Sequence, residues 1–137
     1  MNRPASVSVL ALLLACDTAR AADWVSVGRT DNGYRSFVDT SSIKIDGSVR
    51  KFWAKGVPPP KTVSAPGGNT TKWLSYFLNL EAINCDENAY RVESKVAYFD
   101  DGTTLSTPTN SSSMWKPVPP ESLAESEMKL VCAWKPK

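Results

Sequence analysis

From Trp24 to Thr107 apolar residues recur mostly at every second position, in short runs punctuated by tight-turn signals. That period belongs to a strand with one face on a core, and the brief connections suit antiparallel neighbours. Val25 and Val27 alternate with Trp24, Ser26 and Gly28. Asp31-Asn32-Gly33 tolerates positive φ and predicts a hairpin into a strand over 34–39. Thr40-Ser41-Ser42 is a polar break before an extended segment over 43–45. Asp46-Gly47 is another turn, followed by a strand over 48–57.

The segment 58–71 differs. Three consecutive prolines and then Pro66-Gly67-Gly68-Asn69 do not suit the interior of a sheet, so a long exposed loop is expected. The run 73–85 is the most apolar, with Leu74, Tyr76, Leu78, Leu80 and Ala82 on one face and Phe77 and Ile83 on the other. Apolar residues on both faces predict a central strand covered on both sides. After a turn at Asp86-Glu87-Asn88, the run 89–99 alternates Tyr90, Val92, Val96 and Tyr98 against Arg91, Glu93 and Lys95. Asp101-Gly102 turns the chain into a Thr-rich edge strand over 103–107.

The period changes after the prolines at 117, 119 and 120. Ser122-Leu123-Ala124-Glu125 reads as a capping box, and Leu123, Leu130, Val131 and Trp134 recur at helical spacing. A helix is expected over 121–133, with Lys129, Lys135 and Lys137 near its C-terminal end. The fold class is therefore α+β, mainly β: an antiparallel sheet of about six strands with one C-terminal helix.

The N-terminus reads as a signal peptide over 1–21. Arg3 precedes an apolar run from Val7 to Ala15, too short to span a bilayer, and Ala19-Arg20-Ala21 is a small-x-small cleavage pattern before Ala22. A second processing route competes with it. Leu13-Leu14-Ala15-Cys16 resembles a lipobox, which makes Cys16 the alternative lipidation site and mature N-terminus. Either route leaves one domain over 22–137 and two cysteines, Cys85 and Cys132, which pair as a disulfide in an oxidising compartment. That bond ties the helix to the most apolar strand. The expected location is the periplasm or the cell surface and outer membrane of a Gram-negative bacterium, with no membrane-embedded segment after processing.

Chemistry is sparse. The chain has no histidine, so the usual general base and the commonest metal ligand are both missing. No nucleophile has a base at motif spacing, and no phosphate-cradling glycine loop occurs. The adjacent carboxylates Asp86-Glu87 and Asp100-Asp101 fall in turns and read as turn residues. No catalytic residue, metal ligand or cofactor is assigned. Removing Arg3, Arg20 and Asp17 from the 16 basic and 14 acidic residues leaves 14 against 13. That balance gives no electrostatic case for nucleic acid or bulk membrane attraction. Trp73 and Trp115 flank loops, and Lys61 and Lys72 border the long one. These four are the candidate protein-binding residues.

Several segments in order resemble the surface-adhesin protein E family of proteobacteria. They are Ala22-Asp23-Trp24-Val25-Ser26-Val27-Gly28, Phe37-Val38-Asp39-Thr40-Ser41-Ser42-Ile43, Asn84-Cys85-Asp86, Tyr98-Phe99-Asp100-Asp101-Gly102 and Trp115-Lys116-Pro117-Val118-Pro119-Pro120. One departure is Glu121, where the family pattern carries Gly. The resemblance implies a sheet with a disulfide-tethered C-terminal helix. It also implies a non-enzymatic envelope protein, adhesin-like, that binds host matrix or serum proteins such as vitronectin, laminin and plasminogen, or envelope proteins, and forms a homodimer. The alternative is a periplasmic inhibitor or accessory factor acting on an enzyme or assembly complex.

Overall fold

The computed structural model describes residues 21–64, 71–108 and 114–136. The leader, Cys16 and both cleavage patterns lie almost wholly outside them. Strands β1 (Trp24–Arg29), β2 (Arg35–Asp39), β4 (Val49–Val57), β6 (Lys72–Asn84), β7 (Ala89–Phe99) and β8 (Thr104–Pro108) lie side by side in that order, all antiparallel. Three short strands attach to this sheet: β3 (Lys44–Asp46), β5 (Val63–Ser64) and β9 (Lys116–Pro117). A 3-10 turn, Thr40–Ser42, follows β2, and the helix α1 spans Leu123–Ala133. The α+β architecture read from the sequence is the one observed.

Local chemistry explains the turns. Gly33, Gly47 and Gly102 have positive φ, as the Asx-Gly dipeptides require. The proline segment is not all loop. Val63 and Ser64 pair with Trp73 and Lys72, closing a small hairpin off the start of β6.

The main core cluster lies on one face. Val38, Phe52, Ala54 and Ile83 point to that face, and Val131 of α1 packs against them with Ile43. Phe77 lies over Gly56 so closely that a Cβ there would sit 2.1 Å from its ring. An eleven-residue helix is about 16 Å long. It reaches β1, β2 and the core ends of β4 and β6, and cannot also cover the reverse face. The expectation that β6 is covered on both sides holds only toward its end, where Ala82, on the reverse face opposite Lys51 and Arg91, is fully buried; Leu78 and Leu80 are half-buried there.

Two bulges reassign side chains. In the β6–β7 ladder Leu80 pairs with Ser94 and Glu81 with Val92, leaving Glu93 extra. A single extra residue shifts the alternation. Tyr90 and Val92 thus share the helix face, opposite Ile83 and Glu81, while Val96 and Tyr98 share the reverse face with Leu78 and Tyr76. The simple alternation read over 89–99 placed all four together. Ser75 is a second bulge and separates Leu74 from Tyr76 in the same way.

Three devices hold the helix. Cys132 is bonded to Cys85, with their Cα atoms 5.8 Å apart. At the other end Ser122 Oγ accepts from the Glu125 amide at 3.2 Å. Glu125 reaches back one residue further than a capping box, accepting from the Glu121 amide at 2.9 Å. Glu121 has φ +55° and lies outside the helix, so α1 starts two residues later than expected. Glycine, the residue the resemblance leads one to expect here, would adopt that conformation without steric cost. No basic residue occupies the last turn. Lys129 instead pairs with Glu125 at 3.2 Å, an exposed bond of little stabilising value.

The third device was not anticipated. Glu127 lies four residues from both Leu123 and Val131, on the inward stripe, and is buried with Glu81 beneath it. The two carboxyls interact at close quarters, and that proximity favours a proton on one of them. Ser36 Oγ donates to Glu127 Oε1 at 2.6 Å and Asn79 Nδ2 to Glu81 Oε1 at 2.9 Å. Burial pushes the Glu81 carboxyl well up, and the Glu127 charge adds to it. Burial likewise raises Glu127, against the Ser36 hydroxyl.

Three outcomes are expected. Replacing Cys85 and Cys132 by serine opens a link between residues 47 apart. That costs about 4 kcal/mol by loop-closure entropy and lowers Tm by roughly 15 °C in thermal circular dichroism; an unchanged Tm would show the helix held by packing alone. Glu121→Gly relieves the left-handed residue and raises stability by up to about 1 kcal/mol in denaturant titration; destabilisation would refute the strain account. For the carboxyl pair, both groups ionise near 4.5 when unfolded and higher when folded. The stability they contribute is complete below that pH and fades as pH rises through the folded value. Glu81→Gln should therefore gain on the parent protein as pH climbs above about 4.5; parallel pH profiles would refute the raised ionisation of the pair.

Candidate functional site

The buried carboxyls adjoin a cavity of about 100 Å3, lined among others by Tyr34, Ser36, Asn79 and Phe77. Both carboxyls are buried beneath α1, where Ser36 and Asn79 hold them in the helix contact. Among the described residues, no group of three or more metal-ligating side chains comes together.

The larger feature is the reverse face of the sheet. Register places Phe37 on β2, Trp53 and Val57 on β4, Tyr76, Leu78 and Leu80 on β6, and Val96 and Tyr98 on β7 there together. All are half-buried. Strands twist, but the surface is continuous across four of them, and contiguous apolar area of this kind marks an interaction site. Tyr76 and Tyr98 stack with centroids 4.4 Å apart.

Cations are laid onto these rings. Lys55 Nζ stands 4.5 Å from the Tyr76 centroid and 5.8 Å from that of Trp24. The Arg35 guanidinium is 5.9 Å from the Phe37 ring, and that of Arg91 is 4.6 Å from the Trp115 ring. Cation–π contact fixes a charge in place without neutralising it. At the other end of the face, Glu93 accepts from Lys51 at 2.6 Å and Arg91 at 2.8 Å. Burial raises the Glu93 carboxyl, but these two cations outweigh it and bring it below its ordinary value. No carboxylate lies within ion-pair range of Arg35 or Lys55 among the described residues.

The four residues singled out from the sequence separate. Trp73, 46% exposed, and Lys61 meet at one groove of about 560 Å3 beyond the end of β4. Pro58, Pro59 and Pro60 form its wall, and Arg35 and Val57 join it to the open face. Thr62 Oγ1 donates to the Pro59 carbonyl at 2.6 Å, and the Leu74 amide to the Thr62 carbonyl at 2.8 Å, so the wall is fixed to β6. Lys72 is engaged elsewhere. It pairs with Asp101 at 2.9 Å and donates to Thr103 Oγ1 at 2.7 Å. Asp101 is held down to about 2, first by the Thr103 hydroxyl and then by Lys72. Trp115 is half-buried beneath Arg91, at the opposite end of the face from Trp73.

Sequence reading missed the face as a unit. Phe37, Leu78, Leu80, Val96 and Tyr98 were each placed on a strand, but nothing indicated that one side of the sheet stays uncovered. The pairing of Arg29 directly opposite Arg35 in β1–β2 was also missed. Like charges opposite one another cost up to about 1 kcal/mol. That register is set by the hairpin turn, where the Thr30 amide donates to the Tyr34 carbonyl at 2.8 Å.

No curated protein and no solved structure matches the chain. One family profile does, surface-adhesin protein E, over residues 24–133, from the first residue of β1 to the last of α1. The chain belongs to the surface-adhesin protein E family.

Proposed function

We propose that this protein is exported through the leader at 1–21 and docks a protein partner on the open face of its sheet, without catalysing a reaction. The family is one of surface adhesins, which supplies the general role. The observation that carries the reading is the uncovered surface centred on Trp53, Leu78, Leu80 and Val96, rimmed by ring-held cations. An apolar centre with a charged rim is the anatomy of a protein interface. Anchors such as Trp and Tyr contribute most when a partner excludes water from them. No helix among the described residues is long and apolar enough to cross a membrane, which fits a domain displayed outside one. Host matrix and serum proteins are the partners this reading favours over an enzyme of the periplasm, because a broad flat face suits a large surface.

Binding of the disulfide-bonded protein to immobilised vitronectin, laminin and plasminogen tests this. At least one should bind at micromolar concentration or below. Leu80→Asp, on the open face, should weaken that binding at least about tenfold while leaving the far-ultraviolet spectrum unchanged. Absence of binding to all three at micromolar levels would sink the matrix-protein reading, and undiminished binding by Leu80→Asp would exclude this face.

A further inference from the structure

The groove beside Trp73 has a chemistry of its own, different from the flat face it adjoins. Its walls are apolar: three prolines, Val57 and the exposed Trp73 ring. Two cations, Arg35 and Lys61, line it, and neither has a carboxylate in ion-pair range among the described residues. Arg29 stands directly opposite Arg35 in the ladder and adds to the positive field. Placing two arginines face to face works against the stability of the sheet. The cluster is therefore kept at a cost to the free protein, and an anion seated there would relieve it. Asp100 also lines the groove, so a bound anion must sit at the Arg35–Lys61 side. The walls need little reorganisation. The prolines have restricted φ, and the turn is tied to β6 through Thr62.

We propose that this groove seats an acidic, apolar segment of the protein partner, its carboxylate between Arg35 and Lys61 and its apolar side chain against Trp73 and the proline wall. This rests on the reading that the open face docks a protein, and names what that protein presents at one end of the interface. A second copy of this chain is a poor occupant, because it would bring a further arginine cluster toward the first.

The test is a nuclear magnetic resonance titration of the disulfide-bonded protein with the peptide acetyl-Leu-Glu-Leu-Glu-Leu-Glu-amide, beside its all-Gln counterpart. The acidic peptide should give saturable shifts at the Lys61 and Thr62 amides and the Trp73 indole, weakening as salt is added. The Gln peptide should bind at least about tenfold more weakly. Arg35→Thr and Lys61→Asn, the latter chosen because Lys61 has φ +62° and Asn tolerates that conformation, should each weaken the acidic peptide, and Asp100→Asn should tighten it. Arg35→Thr should keep or raise Tm at low salt, because it removes the Arg29 repulsion, so lost binding is not lost folding. Equal binding of the two peptides overturns the proposal without requiring any variant. So do shifts centred on distant lysines such as Lys116 and Lys129, or dilution-dependent shifts at Trp73 without peptide, which would mean that a second copy sits there. If a matrix protein binds through Leu80 while the acidic peptide fails, the groove proposal falls and the wider reading stands. If the peptide seats at Trp73 while no matrix protein binds, the groove stands and the matrix reading falls.

Discussion

One short helix, pinned at both ends, decides what the rest of this molecule exposes. Eleven residues of helix are marginal in water, so α1 exists by virtue of what holds it. The disulfide fixes its C-terminal end to the end of β6. Near its middle Glu127 meets Glu81 and Ser36, and at its start Leu123 packs on Gly28. Every apolar residue that the helix touches becomes core. On the reverse side of the same strands, Ala82 apart, the apolar residues stay half-buried. A sheet of six main strands with one helix has apolar side chains for two cores and cover for one.

The carboxyl pair is a choice with consequences. A leucine at position 127 would fit the spacing and bury more apolar area. Two buried acids bonded to Ser36 and Asn79 instead make the helix contact specific, since the groups are satisfied only in this register. They also make the contact sensitive to pH, since burial raises both carboxyls. The disulfide supplies the complement, a bond indifferent to pH that keeps the helix attached while the carboxyl contact changes strength.

On the uncovered side, aromatic rings and cations form two layers. The rings bury one another within the sheet surface, and Lys55, Arg35 and Arg91 rest on them. Long cationic side chains commonly shield apolar surface from water in this way. They also leave the face soluble yet ready to meet acidic groups. The apolar centre and the basic groove at its end are continuous through Arg35 and Val57. One surface can thus combine broad apolar contact with a directional charge pairing.

Much of this was legible before the structure. Alternation and Asx-Gly turns set the strands, because side chains on a pleated strand repeat every two residues whatever they pack against. Ser122 set the helix start, because an unpaired amide needs a local acceptor. Cysteine parity set the cross-link, because an oxidising compartment pairs what it is given. These are local rules, and they read from neighbouring residues alone. What they missed was non-local. The Glu93 bulge turned Tyr90 and Val92 away from Val96 and Tyr98, and no short window reports where a ladder gains a residue. Glu127 sat visibly on the apolar stripe, but whether it met water or Glu81 depended on a strand 46 residues away. Trp73 and Lys61 were named together with Trp115 and Lys72, and only the packing of the proline wall brought two of them to one groove. Local sequence determined the elements and their cross-link. Tertiary structure alone decided which face of the sheet the single helix would cover, and therefore which aromatic and basic residues were left to meet a partner.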